Sequence, residues 1–226
     1  MTHTDPDSSA ARQKHAAAEH ALRFLRPGTV VGVGSGSTVA FFIAALSKRT
    51  VDFPRVVSSS VLSTQLLEAA GIRVRDLNDI ETVDVYVDGA DEVDPSLCLI
   101  KGGGGALTRE KIIAQASRQF VCIVDQSKQV AVLGGFPLPV EVIPMARSLV
   151  TRELQSIGAT VTQRTGFATD DGNLILDAAG LEIDDPPALE ARINQWPGVV
   201  TVGLFARRRP DVLLVAGSNG VVERTA

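Results

Sequence analysis

The chain has 226 residues, 45% of them hydrophobic and 21% charged, with a formal net charge of −4, and is long enough to bury one large core or one core with a smaller companion. This composition excludes a long disordered chain, and the acidic balance gives no electrostatic footprint for nucleic acid or an anionic membrane surface. The longest apolar run, VAFFIAAL from Val39, is far short of a membrane span and MTHTDPDSSAARQKH lacks the apolar core of a signal peptide, so a cytoplasmic protein is expected.

An alanine-rich helical pattern, about Ser9 to Leu25, stops at Arg26-Pro27-Gly28, and TVVGVG follows as a buried strand. SGSTVAFFIAALSKR then reads as a helix, RVVSSS as a strand, VLSTQLLEAAG as a helix closed by Gly71, and VDVYVDGAD as a third strand. LTREKIIAQASRQ continues as helix and FVCIVD as strand. Strands alternating with helices predict a parallel, doubly wound α/β sheet.

The punctuation changes at LGGFPLPVEVIPMA, where Pro137, Pro139 and Pro144 suggest a boundary. Beyond it come a helix (ARSLVTRELQSIG), strand-like ATVTQRT, a turn at Asp170–Asn173, strand NLILDA, a helix (PALEARINQW) and strand GVVTVGLF, which suggest a small ferredoxin-like α+β unit. DVLLVAG, from Asp211, is an apolar strand able to return to the first sheet. The expected division is residues 1–133 plus 210–226 as a Rossmann-like domain and residues 134–209 as the small domain.

Cys98 and Cys122 each sit in an apolar strand-like run without CxxC or Cys/His spacing, so they read as buried reduced thiols and not as a zinc site or a disulfide. His3, His15 and His20 all fall within the first twenty residues. Any proton transfer must then fall to carboxylates and lysines.

GVGSGST joins a buried strand to a helix, where unpaired amides and the helix dipole favour an anion. It is not a Walker loop, because no lysine follows the last glycine, and Ser37 stands where a dinucleotide fingerprint needs its third glycine. The strand ending Ser58-Ser59-Ser60 also lacks the acid that would hold a ribose diol. Hydroxyls on Ser35, Ser37 and Thr38 suit a single phosphate or a polyol, and a tight turn with Ser/Thr capping is the bland alternative.

Asp88 and Asp91 come just past a strand's C-terminal end, the edge where open α/β sheets bind ligands. Asp94-Pro95 reads as turn chemistry, and no Ca²⁺-loop spacing can be drawn through these acids. Lys101 precedes Gly102–Gly105, a second amide-rich loop leading into a helix that carries Glu110. Taken singly, Lys101 and Glu110 would be surface residues. Two glycine-rich helix starts with carboxylates and a lysine at one sheet edge instead describe a site for a small phosphorylated, hydroxyl-rich molecule and for proton transfer on it.

GVGSGST, SSS, YVDGADEVD, KGGGGALTREK, DQSKQV and FPLPVEVIP, in order from Pro27 to at least Gly217, closely resemble the type A ribose-5-phosphate isomerase family. The set is specific in combination, whereas each glycine loop alone is not. The resemblance implies a Rossmann-like domain with a smaller α+β domain, and interconversion of ribose 5-phosphate and ribulose 5-phosphate through an enediol or enediolate in the non-oxidative pentose phosphate pathway, with no metal and no nucleotide cofactor. It implies Glu110 as catalytic base, Asp88 and Asp91 as acids handling sugar hydroxyls and ring opening, and Lys101 as the cation near the developing oxyanion. Substrate contacts would map onto Ser35, Gly36, Ser37 and Thr38, onto Asp88, Gly89, Ala90 and Asp91, onto Lys101, Gly102, Gly103 and Gly104, and onto Lys128, with Lys14 a weaker phosphate candidate. A dimer or larger homo-oligomer is also implied. Ser35 departs from the family's frequent threonine but keeps the hydroxyl, and the N-terminus is a few residues longer than the family pattern.

A sugar-phosphate sensor of a transcription regulator would need a helix-turn-helix, for which the roughly 25 residues before the first strand are too few. A dehydrogenase fails on the missing glycine and ribose-binding acid.

Overall fold

The computed structural model describes residues 8–53 and 55–225; His3 lies outside them. Helix α1 (Ser9–Ala21) starts where Ser8 Oγ accepts from the Ala11 amide at 3.1 Å, a side-chain cap for an otherwise unpaired donor. Its buried Ala17, Ala18 and Ala21 let the helix lie close on the sheet. Strand β1 (Val31–Val33), α2 (Ser37–Leu46), β2 (Val56–Ser58), α3 (Val61–Ala69) and β3 (Val83–Asp88) follow in the expected alternation. Then come two short strands, β4 (Glu92–Val93) and β5 (Leu99–Ile100), before α4 (Leu107–Ala116) and β6 (Ser117–Asp125).

The remaining elements are β7 (Leu138–Val142), α5 (Arg147–Ser156), β8 (Thr160–Gln163), β9 (Leu174–Ala179), α6 (Pro186–Asn194), β10 (Val199–Val202), β11 (Leu204–Phe205), β12 (Val212–Gly217) and β13 (Gly220–Thr225). By its internal contacts the chain groups into two units, residues 1–89, 112–128 and 210–226, and residues 90–111 and 129–209. Residues 90–111, with Asp91, Lys101 and the start of α4, therefore group with the second unit.

The first unit holds a six-stranded sheet in the order β13-β12-β6-β3-β1-β2, parallel except for β13. The parallel pairing gives near-continuous apolar runs such as VLLVA in β12, and its core joins Val31, Val33, Val87 and Ile123 to Phe42 and Leu46 of α2. The second unit holds a four-stranded sheet, β10-β7-β9-β8, with α5 and α6 in ferredoxin-like strand-helix-strand-strand-helix-strand order, and a three-stranded sheet, β11-β5-β4. Its core gathers Val140, Val142, Val150, Leu154 and Leu176.

Three local expectations need correction. The helix expected to run to Gln119 ends at Ala116, because Ser117 pairs with Val83 in the sheet and its hydroxyl turns back to the Ala114 carbonyl at 2.8 Å. The proline-punctuated stretch conceals β7, which starts at Leu138 between two prolines. GVVTVGLF is two strands in two sheets, broken at Gly203, whose amide donates to Pro139 O at 2.7 Å and whose carbonyl accepts from Lys101 N at 2.9 Å.

Candidate active site

In the first unit, the turn between β1 and α2 is built around Asp88. This residue ends β3 and is fully buried, and its carboxylate accepts from the amides of Ser35 at 3.0 Å and Gly89 at 2.7 Å and from the Tyr86 hydroxyl. Gly34 is where this turn needs glycine: a Cβ there would lie 2.0 Å from the Asp88 carboxyl group. From α3, Ser63 Oγ donates to Gly34 O at 2.7 Å. The N-cap of α2 is Gly36, with no side-chain hydrogen bond, so the amides of the first turn face outward from the positive end of the helix.

Ser35 and Thr38 are half-buried, Gly36 and Ser37 exposed. Lys14, on α1, donates from Nζ to Ser37 Oγ at 2.9 Å, adding a cation to this amide cluster. Lys128 is half-buried in the 3-10 turn after β6. His15 and His20 lie on α1.

In the second unit, Lys101 follows β5 and Glu110 sits in the first turn of α4. Lys101 Nζ lies 3.2 Å from Glu110 Oε2, with the two side chains 3% and 4% exposed. The Lys101 ammonium also lies 5.5 Å from the centroid of the Phe205 ring, a favourable cation–π separation. A buried ammonium and a buried carboxylate this close each lower the cost of the other's charge.

The glycine loop before α4 is pinned from two sides. Asp91 Oδ2 accepts from the Gly103 amide at 2.8 Å, and a Cβ on Gly103 would come within 2.6 Å of that carboxylate. Arg164, just past β8, donates to Gly103 O at 3.1 Å while two of its nitrogens grip Asp177 at 2.7 Å. Gly102 is buried, Gly103 and Gly104 are exposed, and Gly89 and Ala90 are half-buried.

The other two acids serve the fold. Glu92 accepts from the Gly134 and Phe136 amides at 2.9 and 2.6 Å, and Asp94 accepts from the Cys98 amide at 2.8 Å, the turn chemistry expected of it. Among the described residues no three His, Cys, Asp or Glu side chains group so as to hold a metal ion. No helix among them is long and apolar enough to cross a membrane.

Sequence reasoning missed how α4 is held. Thr108 Oγ1 donates to buried Glu141 at 2.5 Å, Arg109 pairs with Asp171 at 2.7 Å, and Lys111 Nζ reaches Glu190 at 2.7 Å. With Glu110, these are four consecutive side chains, each facing a different anchor as the helix turns about 100° per residue. No local signal could have found the anchors, since Glu141 and Glu190 lie far along the chain from α4.

The profile of the family described as Ribose 5-phosphate isomerase A (phosphoriboisomerase A) matches residues 55–220. The chain is 58% identical over 210 residues to a ribose-5-phosphate isomerase A of Stenotrophomonas maltophilia, covering 92% of this chain and 98% of that one. It superposes on the crystal structure of ribose 5-phosphate isomerase A from Neisseria gonorrhoeae with a TM-score of 0.93 at 45% identity, covering 96% and 97% of the two chains. A structure of D-ribose-5-phosphate isomerase in complex with phospho-erythronic acid matches with a TM-score of 0.93 at 37% identity, covering 97% and 100%. Fold and relatives together define the class, an α/β isomerase acting on a sugar phosphate. The chain belongs to the ribose 5-phosphate isomerase A family, whose members interconvert ribose 5-phosphate and ribulose 5-phosphate.

Proposed function

We propose that the chain interconverts D-ribose 5-phosphate and D-ribulose 5-phosphate by proton transfer through an enediolate, with Glu110 as the base and Lys101 as the oxyanion stabiliser. The observation that carries this reading is the buried Lys101–Glu110 contact of 3.2 Å. Glu110 takes the proton from C2 of the open-chain aldose, the C–H electron pair forms the C1–C2 double bond, and negative charge moves to O1. A proton passes from the O2 hydroxyl to O1, and Glu110 returns its proton to C1, leaving a carbonyl at C2. The Lys101 ammonium favours each oxyanion along this path, which a water-excluding site strengthens.

The Ser35 hydroxyl, the amides of Gly36, Ser37 and Thr38 and the hydroxyls of Ser37 and Thr38, with Lys14 and Lys128, are assigned to the phosphate. Helix-start amides and two cations suit a dianion. Asp91 and the loop residues Gly102, Gly103 and Gly104, with Gly89 and Ala90, are assigned to sugar hydroxyls. Asp88 is assigned to ring opening and to holding the Ser35 amide, the second supported by its 3.0 Å hydrogen bond. The phospho-erythronic acid in the related structure supports the reading: its planar carboxylate and its phosphate are the ends that an enediolate and its phosphate would present.

We read the protein as cytoplasmic, in keeping with its two buried thiols, and as a homodimer or larger homo-oligomer, to be checked by sedimentation. Conversion of ribose 5-phosphate in D₂O with excess EDTA tests the mechanism. Full activity with deuterium at C1 of ribulose 5-phosphate is expected. Activity lost in EDTA and restored by a divalent ion would overturn the metal-free route.

A further inference from the structure

Glu190, on α6, is 4% exposed, and both of its carboxylate oxygens are used. One accepts from Lys111 Nζ at 2.7 Å, and the other accepts from the backbone amides of Ala206 and Arg207 at 2.9 and 2.8 Å. The Lys111 ammonium spends its remaining donors on Val202 O at 2.9 Å and Leu204 O at 2.6 Å. Every strong donor and acceptor of the pair is thus satisfied inside the second unit.

The two ends of this network lead to the two residues of the chemistry. Lys111 follows Glu110 on α4, so fixing its side chain fixes the rotation and height of the helix where Glu110 departs. Strand β11, gripped through Lys111 and Glu190, pairs with β5, Leu204 opposite Ile100 and Phe205 opposite Leu99, and Lys101 is the next residue. The Phe205 ring has the Lys111 ammonium 4.8 Å from its centroid and the Lys101 ammonium 5.5 Å from it. Burial pushes the Lys111 ammonium below its usual range and the Glu190 charge opposes that shift. A buried ion pair of this kind adds little stability over a well-packed apolar pair, so stability alone does not account for it.

We propose that the Glu190–Lys111 pair is a positioning device, with Glu190 setting the separation of the Glu110 carboxylate and the Lys101 ammonium through α4 and β11 without touching substrate. The proposal rests on the reading of Glu110 as the base.

A kinetic double-mutant cycle of wild type, Glu190→Gln, Glu110→Gln and both tests it, assayed with ribose 5-phosphate at 25 °C after circular dichroism confirms folding. Glu190→Gln is expected to lower kcat ~10- to 100-fold with KM changed less than about threefold, because displacing reacting groups by ~1 Å can cost ~10²-fold. On the Glu110→Gln background the same change is expected to cost less than about threefold, since the base it positions is gone. A folded Glu190→Gln enzyme with kcat within about threefold of wild type, or an equal loss on both backgrounds, overturns the proposal while leaving the base assignment standing. Near-normal turnover in Glu110→Gln overturns both.

If Glu190→Gln melts below the assay temperature, Lys111→Gln/Glu190→Gln replaces it in the cycle, since this neutral pair leaves no buried charge unpaired. Its shorter side chain at 111 cannot span to both carbonyls, so the same kcat loss is expected, and an unchanged kcat overturns the proposal.

Discussion

Lys101 Nζ and Glu110 Oε2 are 3.2 Å apart in a second unit that buries both side chains almost completely. A carboxylate so placed can exchange a proton with a carbon acid while the ammonium compensates the oxyanion that forms. Glu110→Gln is expected to leave the fold intact and KM little changed but to lower kcat at least ~10²-fold, the share a positioned general base supplies. Steady-state kinetics on the folded variant check it, and near-normal turnover would sink the assignment.

The same contact makes a prediction about stability. Lys101→Met leaves a buried carboxylate without its cation and is expected to cost about 3–5 kcal/mol, whereas Lys101→Met/Glu110→Gln, with no charge left to strand, should recover much of that loss. Urea midpoints of the two variants decide it. Activity should stay lost in both.

Gly34 gives a steric prediction. A Cβ there meets the Asp88 carboxyl at 2.0 Å, and Asp88 cannot retreat without giving up the Ser35 and Gly89 amides. Gly34→Ala is expected to destabilise by about 1–3 kcal/mol, the usual cost of overpacking, and to raise KM by releasing the Ser35 amide from Asp88 and so displacing the turn that leads into α2. A variant with wild-type melting temperature and KM would show that the turn does not need glycine.

Phosphate contacts remote from C1 and C2 hold ground and transition states alike. Lys14→Ala, Lys128→Ala and Ser37→Ala/Thr38→Ala are therefore expected to raise KM severalfold with kcat changed little. Loss of kcat at constant KM would mean that the phosphate has been assigned to the wrong residues.

Cys98 carries a pH prediction. Burial, followed by the nearby Asp94 charge, raises its thiol from 9.0 to about 11. The folded state then keeps a proton that the unfolded state has lost, so the stabilisation is whole below pH 9 and falls as pH rises from 9 through about 11. Urea midpoints from pH 8 to 11 should decline more steeply for wild type than for Cys98→Ala, and parallel declines would contradict the shift.

The sequence by itself determined the alternation of β1, β2, β3 and β6 with helices, because parallel strands buried on both faces read as apolar runs and helices as 3.6-residue patterns. It also marked both glycine loops, since GVGSGST and KGGGG are local demands of backbone chemistry, and it singled out Glu110 and Lys101 as a pair worth joining. Tertiary structure alone decided the rest. It ended α4 at Ala116 through the pairing of Ser117 with Val83, drew β7 out of a proline-rich stretch by pairing it with β9 and β10, and split GVVTVGLF at Gly203 between two sheets. It also brought Glu190 to Lys111 across 79 residues of chain. Those outcomes depend on ladder bonds and buried charges between segments remote in sequence, and such partners leave no period, cap or turn signal in the residues that receive them.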